Sequence, residues 1–318
     1  MEKMNYFSHN PLDRRFDLRT NRAQLELLRK HPQAQFLLLH NNLHLLRELE
    51  DGQLQPVSLS WKEAEALEPM ARVFLGLEGE VPYFVLGFEE QAEELTKYLQ
   101  SPFVFKDLKD VALQLPPEES AILAHARALL HWNLRHLYCP NCGSLTVSME
   151  AGHMRQCTNE SCGLHHFPRT DTAVIMLISE GNACLLGRQA AWPKYRYATL
   201  AGFLEPGETL EQAVAREAKE ETGVQLASIT YHSSQPWPFP ASVMVGFMAT
   251  ASTRDLEVNY AEMEDARWFT RDAIADGLRE GTFLPPPQVS ISFRLIRDWY
   301  NADPAYRLED VLEGLPRL

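Results

Sequence analysis

Nowhere in the 318 residues is there a run of about 20 apolar residues, the length that a membrane-spanning helix needs. A helical span is therefore excluded as an organising element, and no membrane partner is expected. Met1 to Asn10 lacks the apolar core of a secretory signal, so the expected compartment is the cytoplasm. Pro316-Arg317-Leu318 is a loose relative of the peroxisomal Ser-Lys-Leu address and is read as a chance similarity. Positive charge is scarce too. Thirty Lys and Arg face 43 Asp and Glu, a formal charge of −13, which argues against a broad basic groove for nucleic acid. Local anion binding stays open, because divalent cations can invert the sign of a site. Cysteines number only five and read as metal ligands or free thiols before disulfides. Neither an internal repeat nor a low-complexity tract is present.

What is present is globular in character, with 45% hydrophobic and 10% aromatic residues. The length exceeds one ordinary core and suits two domains plus a small module. Residues 1–136 read as an α/β domain without a catalytic pattern. There, Phe36 to His40, Asn41-Asn42 and Leu43 to Leu49 predict a hairpin, since Asn tolerates positive φ. Tyr83 to Phe88 predicts a strand and Glu89 to Leu99 an amphipathic helix. After Pro116-Pro117, a helix is expected from about Glu118 to Leu137; its His125, His131 and His136 lack zinc-ligand spacing and read as packing or surface residues. From Thr172 the texture changes. Thr172 to Ile178 and Ala183 to Gly187 predict strands around a Glu180-Gly181-Asn182 turn. Further strands are expected near Val224 to Tyr231 and Ser242 to Ala249, and a last helix from Val289 to Tyr300.

Between these domains, at residues 137–168, Cys139-Pro-Asn-Cys142-Gly and Cys157-Thr-Asn-Glu-Ser-Cys162-Gly form two short-spaced pairs. Glycine after each pair permits a tight turn in which backbone N–H groups face thiolate sulfur. Four thiolates suit Zn²⁺ and leave no position for water, so the expectation is one structural zinc per chain. Cys184, alone on an apolar strand, reads as a core residue.

The chemistry concentrates between Gly202 and Val224. Thr209 and Gln212 fit a capping box that opens a helix, and Gly223 fits its stop. Glu217, Glu220 and Glu221 fall at i, i+3 and i+4, on one helical face. Three like charges so close repel unless cations neutralise them, and hard oxygen ligands in that number suit Mg²⁺ or Mn²⁺. Such ions serve diphosphate hydrolysis. A solvated acidic helix face is the competing reading of the triplet alone. The full string Gly202-x5-Glu208-x7-Arg216-Glu217-Ala218-x-Glu220-Glu221-x-Gly223-Val224 demands more, and it resembles the Nudix box at every fixed position, with only Ala218 small for its apolar slot. That resemblance implies an α/β/α sandwich over residues 169–318 that hydrolyses nucleoside diphosphates linked to another moiety. It also implies Glu217 and Glu221 as principal metal ligands, Glu220 assisting, and the Ala201 carbonyl as a further donor. Arg216 would pair with Glu208 and hold the loop, and Glu221 is the leading candidate for general base.

Downstream lies Ser234-Gln235-Pro236-Trp237-Pro238-Phe239-Pro240-Ala241-Ser242. Prolines alternating with aromatics make a stiff segment that cannot donate ladder hydrogen bonds at each proline, which fits an edge strand or a packing wedge. Together with the box and the cysteine module, it resembles NADH pyrophosphatases of the NudC type over roughly residues 137 to 300; the N-terminal domain resembles them only loosely. The resemblance implies substrate contacts by Gln235, Pro236, Trp237, Pro238, Phe239, Pro240, Ala241 and Ser242, and by Phe203, Phe167 and Ser292. Glu262 would be the distal metal ligand, with Glu264 its rival by proximity. The implied reaction converts NAD(H) and water to NMN(H) and AMP, in a homodimer, and extends to removing NAD caps from RNA 5′ ends. A general ADP-ribose or dinucleoside pyrophosphatase would lack the proline-aromatic segment. A catalytically inactive zinc-ribbon and Nudix binding protein would have lost box glutamates.

Overall fold

The computed structural model describes residues 4–88, 95, 98 and 101–314. Apart from Leu95 and Tyr98, the helix expected over Glu89 to Leu99 lies outside the described residues, as does the Pro316-Arg317-Leu318 tail. The chain divides into two compact bodies: residues 6–170 with 237–241, and residues 4–5, 171–236 and 242–314.

The N-terminal body begins with α1 (Phe16–Arg19) and α2 (Arg22–Arg29). Its sheet contains β1 (Gln35–His40), β2 (Leu43–Glu48), β3 (Leu54–Pro56), β4 (Ser58–Leu59), β5 (Ala71–Glu78), β6 (Val81–Phe88) and β7 (Phe103–Lys106), with α3 (Trp61–Glu65) between β4 and β5. The strand order is β3-β2-β1-β6-β5, with β7 on β2 and β4 on β1. The expected hairpin is β1–β2, and Asn41 and Asn42 take φ of 50° and 63° at its turn. After α4 (Leu108–Val111), α5 (Pro117–Arg135) starts on a proline, whose missing N–H is no loss in a first turn. Gly87 on β6 lets α5 come close, since a Cβ there would stand 2.5 Å from a Leu130 methyl. His125 is buried, with its ring 2.9 Å from the Arg14 guanidinium, in keeping with a packing role.

The cysteine module carries β8 (Thr146–Met149), β9 (Met154–Cys157) and β10 (His165–His166) in one small sheet. It clusters with the N-terminal body because buried polar groups tie it there. Asn133 on α5 donates to the Gly152 carbonyl at 2.8 Å, and the His153 ring lies 2.7 Å from the Phe74 carbonyl on β5.

The second body is built on β11 (Asp171–Glu180), β12 (Ala183–Arg188), β13 (Leu200–Phe203), β14 (Leu226–Trp237), β15 (Ser242–Ala251) and β16 (Asp265–Thr270). Their order is β14-β15-β11-β12-β16, with β13 on β11. Helix α6 (Leu210–Thr222) covers one face; α7 (Arg271–Glu280), α8 (Ile291–Tyr300) and α9 (Leu308–Glu313) serve the other. The continuous apolar run in β11 follows from this layering. Val174, Met176 and Ile178 pack towards α6, while Ile175 and Leu177 pack towards α7 and α8. A strand covered on both faces has no side to leave polar. Cys184 is a fully buried member of the second core, and Ala218 of the first. Among the described residues no helix is long and apolar enough to cross a membrane.

Candidate active site and zinc ribbon

The four module cysteines converge. Cys142 and Cys157 sulfurs are 3.4 Å apart, Cys139 and Cys162 sulfurs 3.8 Å, and all four lie within 4.8 Å of one another. Four sulfurs at about 2.3 Å from a tetrahedral zinc stand about 3.8 Å apart, so this set fits the ion. Gly143 and Gly163 follow the two pairs with φ of 73° and 55°, the left-handed turn that glycine accepts without strain. The Ser144 hydroxyl and N–H draw the Cys142 thiol down to about 6, towards the thiolate that a metal needs. Purified protein is expected to hold one zinc per chain, and Cys142→Ser to lower zinc content and melting temperature together. Soluble, active protein free of zinc by metal analysis would reject the ribbon.

In the second body the acidic stretch forms α6. Thr209 Oγ1 accepts from the Gln212 N–H at 3.2 Å while Gln212 Oε1 accepts from the Thr209 N–H at 2.8 Å, so the capping box is closed. Gly223 ends the helix at φ 74°. Arg216 is the hub. Its Nε donates to Glu208 at 2.7 Å, one terminal nitrogen reaches Glu217 and Glu220 at 2.9 Å each, and the other reaches the Phe203 carbonyl at 2.9 Å. One fixed cation thus binds the loop after β13 to the acidic helix, the role expected of it.

Glu217 and Glu221 are only 8% and 9% exposed, whereas Glu220 is exposed. Arg216 serves Glu217, but Glu221 Oε2 is buried with no hydrogen-bond partner. Burial, then Glu217 and Glu262, push the Glu221 carboxyl up to about 8. Burial raises Glu217 as well. A desolvated carboxylate with an orphaned oxygen and acidic neighbours lacks a positive charge, so the residues present fit a divalent cation. Glu217, Glu221 and Glu262 could hold it, with Glu220 at the rim. Ala201 lies on β13 opposite Ile175, one residue before Gly202.

Two features of this site escaped sequence reasoning. Gly202 is a slot: a Cβ there would lie 1.8 Å from the Glu217 carboxyl carbon. Glycine lets that carboxylate press against the β13 backbone. Asn259 is a bracket. Its N–H donates to the Glu221 carbonyl at 2.9 Å and its side-chain amide to Glu262 at 3.2 Å, which holds the Glu262 segment at the end of α6. Glu264 turns elsewhere, ion-paired with Arg188.

The residues expected against substrate do not behave alike. Phe203 is 61% exposed beside the acidic helix, and Phe167, in the other body, is 63% exposed. Gln235 is fully buried, donating to the Val289 carbonyl at 2.8 Å and accepting from the Ile291 N–H at 2.8 Å. Ser292 is buried too, its Oγ 2.8 Å from Thr199 Oγ1 and accepting from the Thr199 N–H. Both side chains tie separate segments of the second body together. Pro236 ends the run assigned to the second body, and Ser242 resumes it as the first residue of β15.

Trp237, Pro238, Phe239, Pro240 and Ala241 cluster with the N-terminal body. The Trp237 and Phe239 rings meet edge to face at 5.0 Å, and both touch Phe7. The Arg127 guanidinium lies 4.8 Å from the Phe239 ring and donates to the Pro238 carbonyl at 3.0 Å. The segment is thus both alternatives at once: β14 is the edge strand of its sheet, and the turn after it is a packed wedge.

Comparison with known proteins agrees with this architecture. The NUDIX domain model matches residues 168–287, the NADH pyrophosphatase zinc ribbon model 134–167, and the NADH pyrophosphatase-like rudimentary NUDIX domain model 33–132. The last match extends the likeness into the N-terminal domain, where the sequence alone suggested only a loose one. The NUDIX match over the layered body that carries Glu217 and Glu221 identifies a hydrolase of the Nudix class. The chain is 36% identical to the human NAD-capped RNA hydrolase NUDT12, over 94% of this chain and 74% of that protein. It is 34% identical to the NAD-capped RNA hydrolase NudC of Pseudomonas aeruginosa, over 89% and 92%. It is 35% identical to the human mitochondrial NAD(P)H pyrophosphatase NUDT13, over 65% and 61%. The chain belongs to the NudC-type NADH pyrophosphatase family of Nudix hydrolases.

Proposed function

We propose that this protein hydrolyses the diphosphate of NAD(H) to NMN(H) and AMP, and that it removes NAD caps from RNA 5′ ends by the same reaction. The observation that carries the chemistry is the unpartnered Glu221 oxygen buried beside Glu217 and Glu262. The names of the relatives support the substrate. Mg²⁺ or Mn²⁺, when bound, would polarise the diphosphate and lower the pKa of water. Glu217, Glu221 and Glu262 would hold the ions, with Glu220 and the Ala201 carbonyl assisting. Arg216 keeps the Phe203 loop and Glu217 in register. Glu221 would take a proton from the attacking water, whose oxygen would join one phosphorus as the bridging P–O bond breaks. The test is product analysis on NADH, NAD⁺, ADP-ribose and NAD-capped RNA with Mg²⁺ or Mn²⁺. Cleavage of ADP-ribose ahead of every NAD compound would overturn the substrate assignment. The homodimer and the cytoplasmic setting belong to the same proposal. Sedimentation reads the first, and cell fractionation reads the second.

A metal cluster recognises any diphosphate, so selectivity falls to groups that read the bases. The exposed Phe203 ring offers a stacking face worth about 1–3 kcal/mol. Phe203→Ala is expected to cost about ten- to hundredfold in kcat/KM on NAD(H). It should matter far less for a diphosphate lacking one base. Equal losses on NAD(H) and ADP-ribose would mark Phe203 as indifferent to the second base.

A further inference from the structure

The N-terminal body contains a cleft of about 600 Å³ that the diphosphate chemistry does not use. Small-molecule sites span about 300–1,000 Å³. Arg22, Leu25, Glu26 and Arg29 recur at i, i+3, i+4 and i+7, so one face of α2 lines the cleft. Arg19 at the end of α1 and Arg72 on β5 add two more guanidinium groups. Only Glu26 and Glu150 oppose these four cations on the cleft wall. In a chain of charge −13, that local excess of positive charge runs against the average.

Two further observations mark the cleft as built for an anion. The Nε atoms of Arg29 and Arg72 are buried without a hydrogen-bond partner. The Arg29 guanidinium, 4.9 Å from the Trp61 ring, is paired with Glu26, while burial and the adjacent Arg29 pull Arg72 below the usual guanidinium range. Like charges crowded and desolvated in this way gain from an anion between them. The opposite wall is strained: Glu150 and Ala151, neither of them glycine, take left-handed φ of 47° and 54° in succession. Strain of this kind persists where the surroundings impose it, and it clusters at binding sites. Below the charges, the Phe74 and Phe84 rings, 5.3 Å apart, form an apolar floor.

We propose that this cleft binds a phosphate ester of mononucleotide size, with the phosphate against Arg22, Arg29 and Arg72 and the base towards the Phe74 and Phe84 floor. Guanidinium forks match phosphate oxygens in pairs, and Glu26 and Glu150 can accept from amino or hydroxyl groups of the ligand. Calorimetry on the full chain without added divalent metal, with AMP, adenosine and inorganic phosphate as probes, tests this. AMP should bind more tightly than either fragment. Arg72→Gln and Arg22→Gln should each weaken AMP at least about tenfold while kcat/KM for diphosphate hydrolysis stays unchanged. Arg22 is exposed on α2, so its variant carries the test if Arg72→Gln disturbs folding. Unchanged AMP affinity in the Arg22 variant, or AMP bound no tighter than inorganic phosphate, would overturn the proposal.

Discussion

Glu221→Gln is expected to slow diphosphate hydrolysis by about two orders of magnitude or more with the fold intact. The amide keeps the shape of a side chain that is 9% exposed but removes the negative charge that the buried, unpartnered Oε2 contributes. Glu262→Gln should follow it, because the Glu262 charge acts on both Glu217 and Glu221, and Asn259 ties its carboxylate to the end of α6. Glu264→Gln should not, since Glu264 is paired with Arg188. Steady-state rates on purified variants read this directly. Normal turnover in the Glu221 variant would remove the assigned role, and the reverse order at 262 and 264 would move the distal ligand.

The same carboxyl makes a statement about pH. In metal-free protein its pKa is raised from the ordinary 4.5 to about 8, by burial first and then by Glu217 and Glu262. The folded state therefore retains a proton that the unfolded chain releases. Its stabilising effect is complete below about pH 4.5 and is lost as pH rises through about 8. The melting temperature of metal-free protein should fall between pH 5 and 8, added divalent ion should restore it, and Glu221→Gln should flatten the dependence. A wild-type profile as flat as the variant's would mean that no buried charge sits there.

Gly202→Ala is expected to be nearly as damaging as losing the carboxylate. The new methyl would stand 1.8 Å from the Glu217 carboxyl carbon, which cannot stay where it is. Glu217 is buried and tied to Arg216 at 2.9 Å, so displacement breaks that ion pair and disturbs the hub that also holds the Phe203 carbonyl. A misplacement of about 1 Å in a catalytic array can cost about a hundredfold, and that loss is expected in kcat. The clash falls on the end of the Glu217 side chain and on no backbone atom, so the fold should persist while the ion pair is lost. Full activity in the variant would show that the position of Glu217 is immaterial.

Legibility of the site followed the range of the interactions. The capping box, the glycine stop and the carboxylate face at i, i+3 and i+4 are relations within one helix, and helical geometry sets them wherever the helix sits. The cysteine pairs are legible for the same reason, since each knuckle is a local turn. Nothing in the sequence around Gln235 and Ser292 says that the Val289, Ile291 and Thr199 backbone lies opposite them. Asn259 had no signal beyond standing three residues before Glu262.

By itself, the sequence determined the class of chemistry: a metal-binding acidic helix, a four-thiolate module and a stiff aromatic segment, each a short-range pattern fixed by backbone periodicity and residue chemistry. Tertiary structure alone decided which oxygen is left without a partner, why position 202 must be glycine, and that Trp237 and Phe239 pack with Phe7 and Arg127. Those facts depend on desolvation and on contacts between residues far apart in the chain. Burial is a property of the assembled layers, and no window of the sequence contains it.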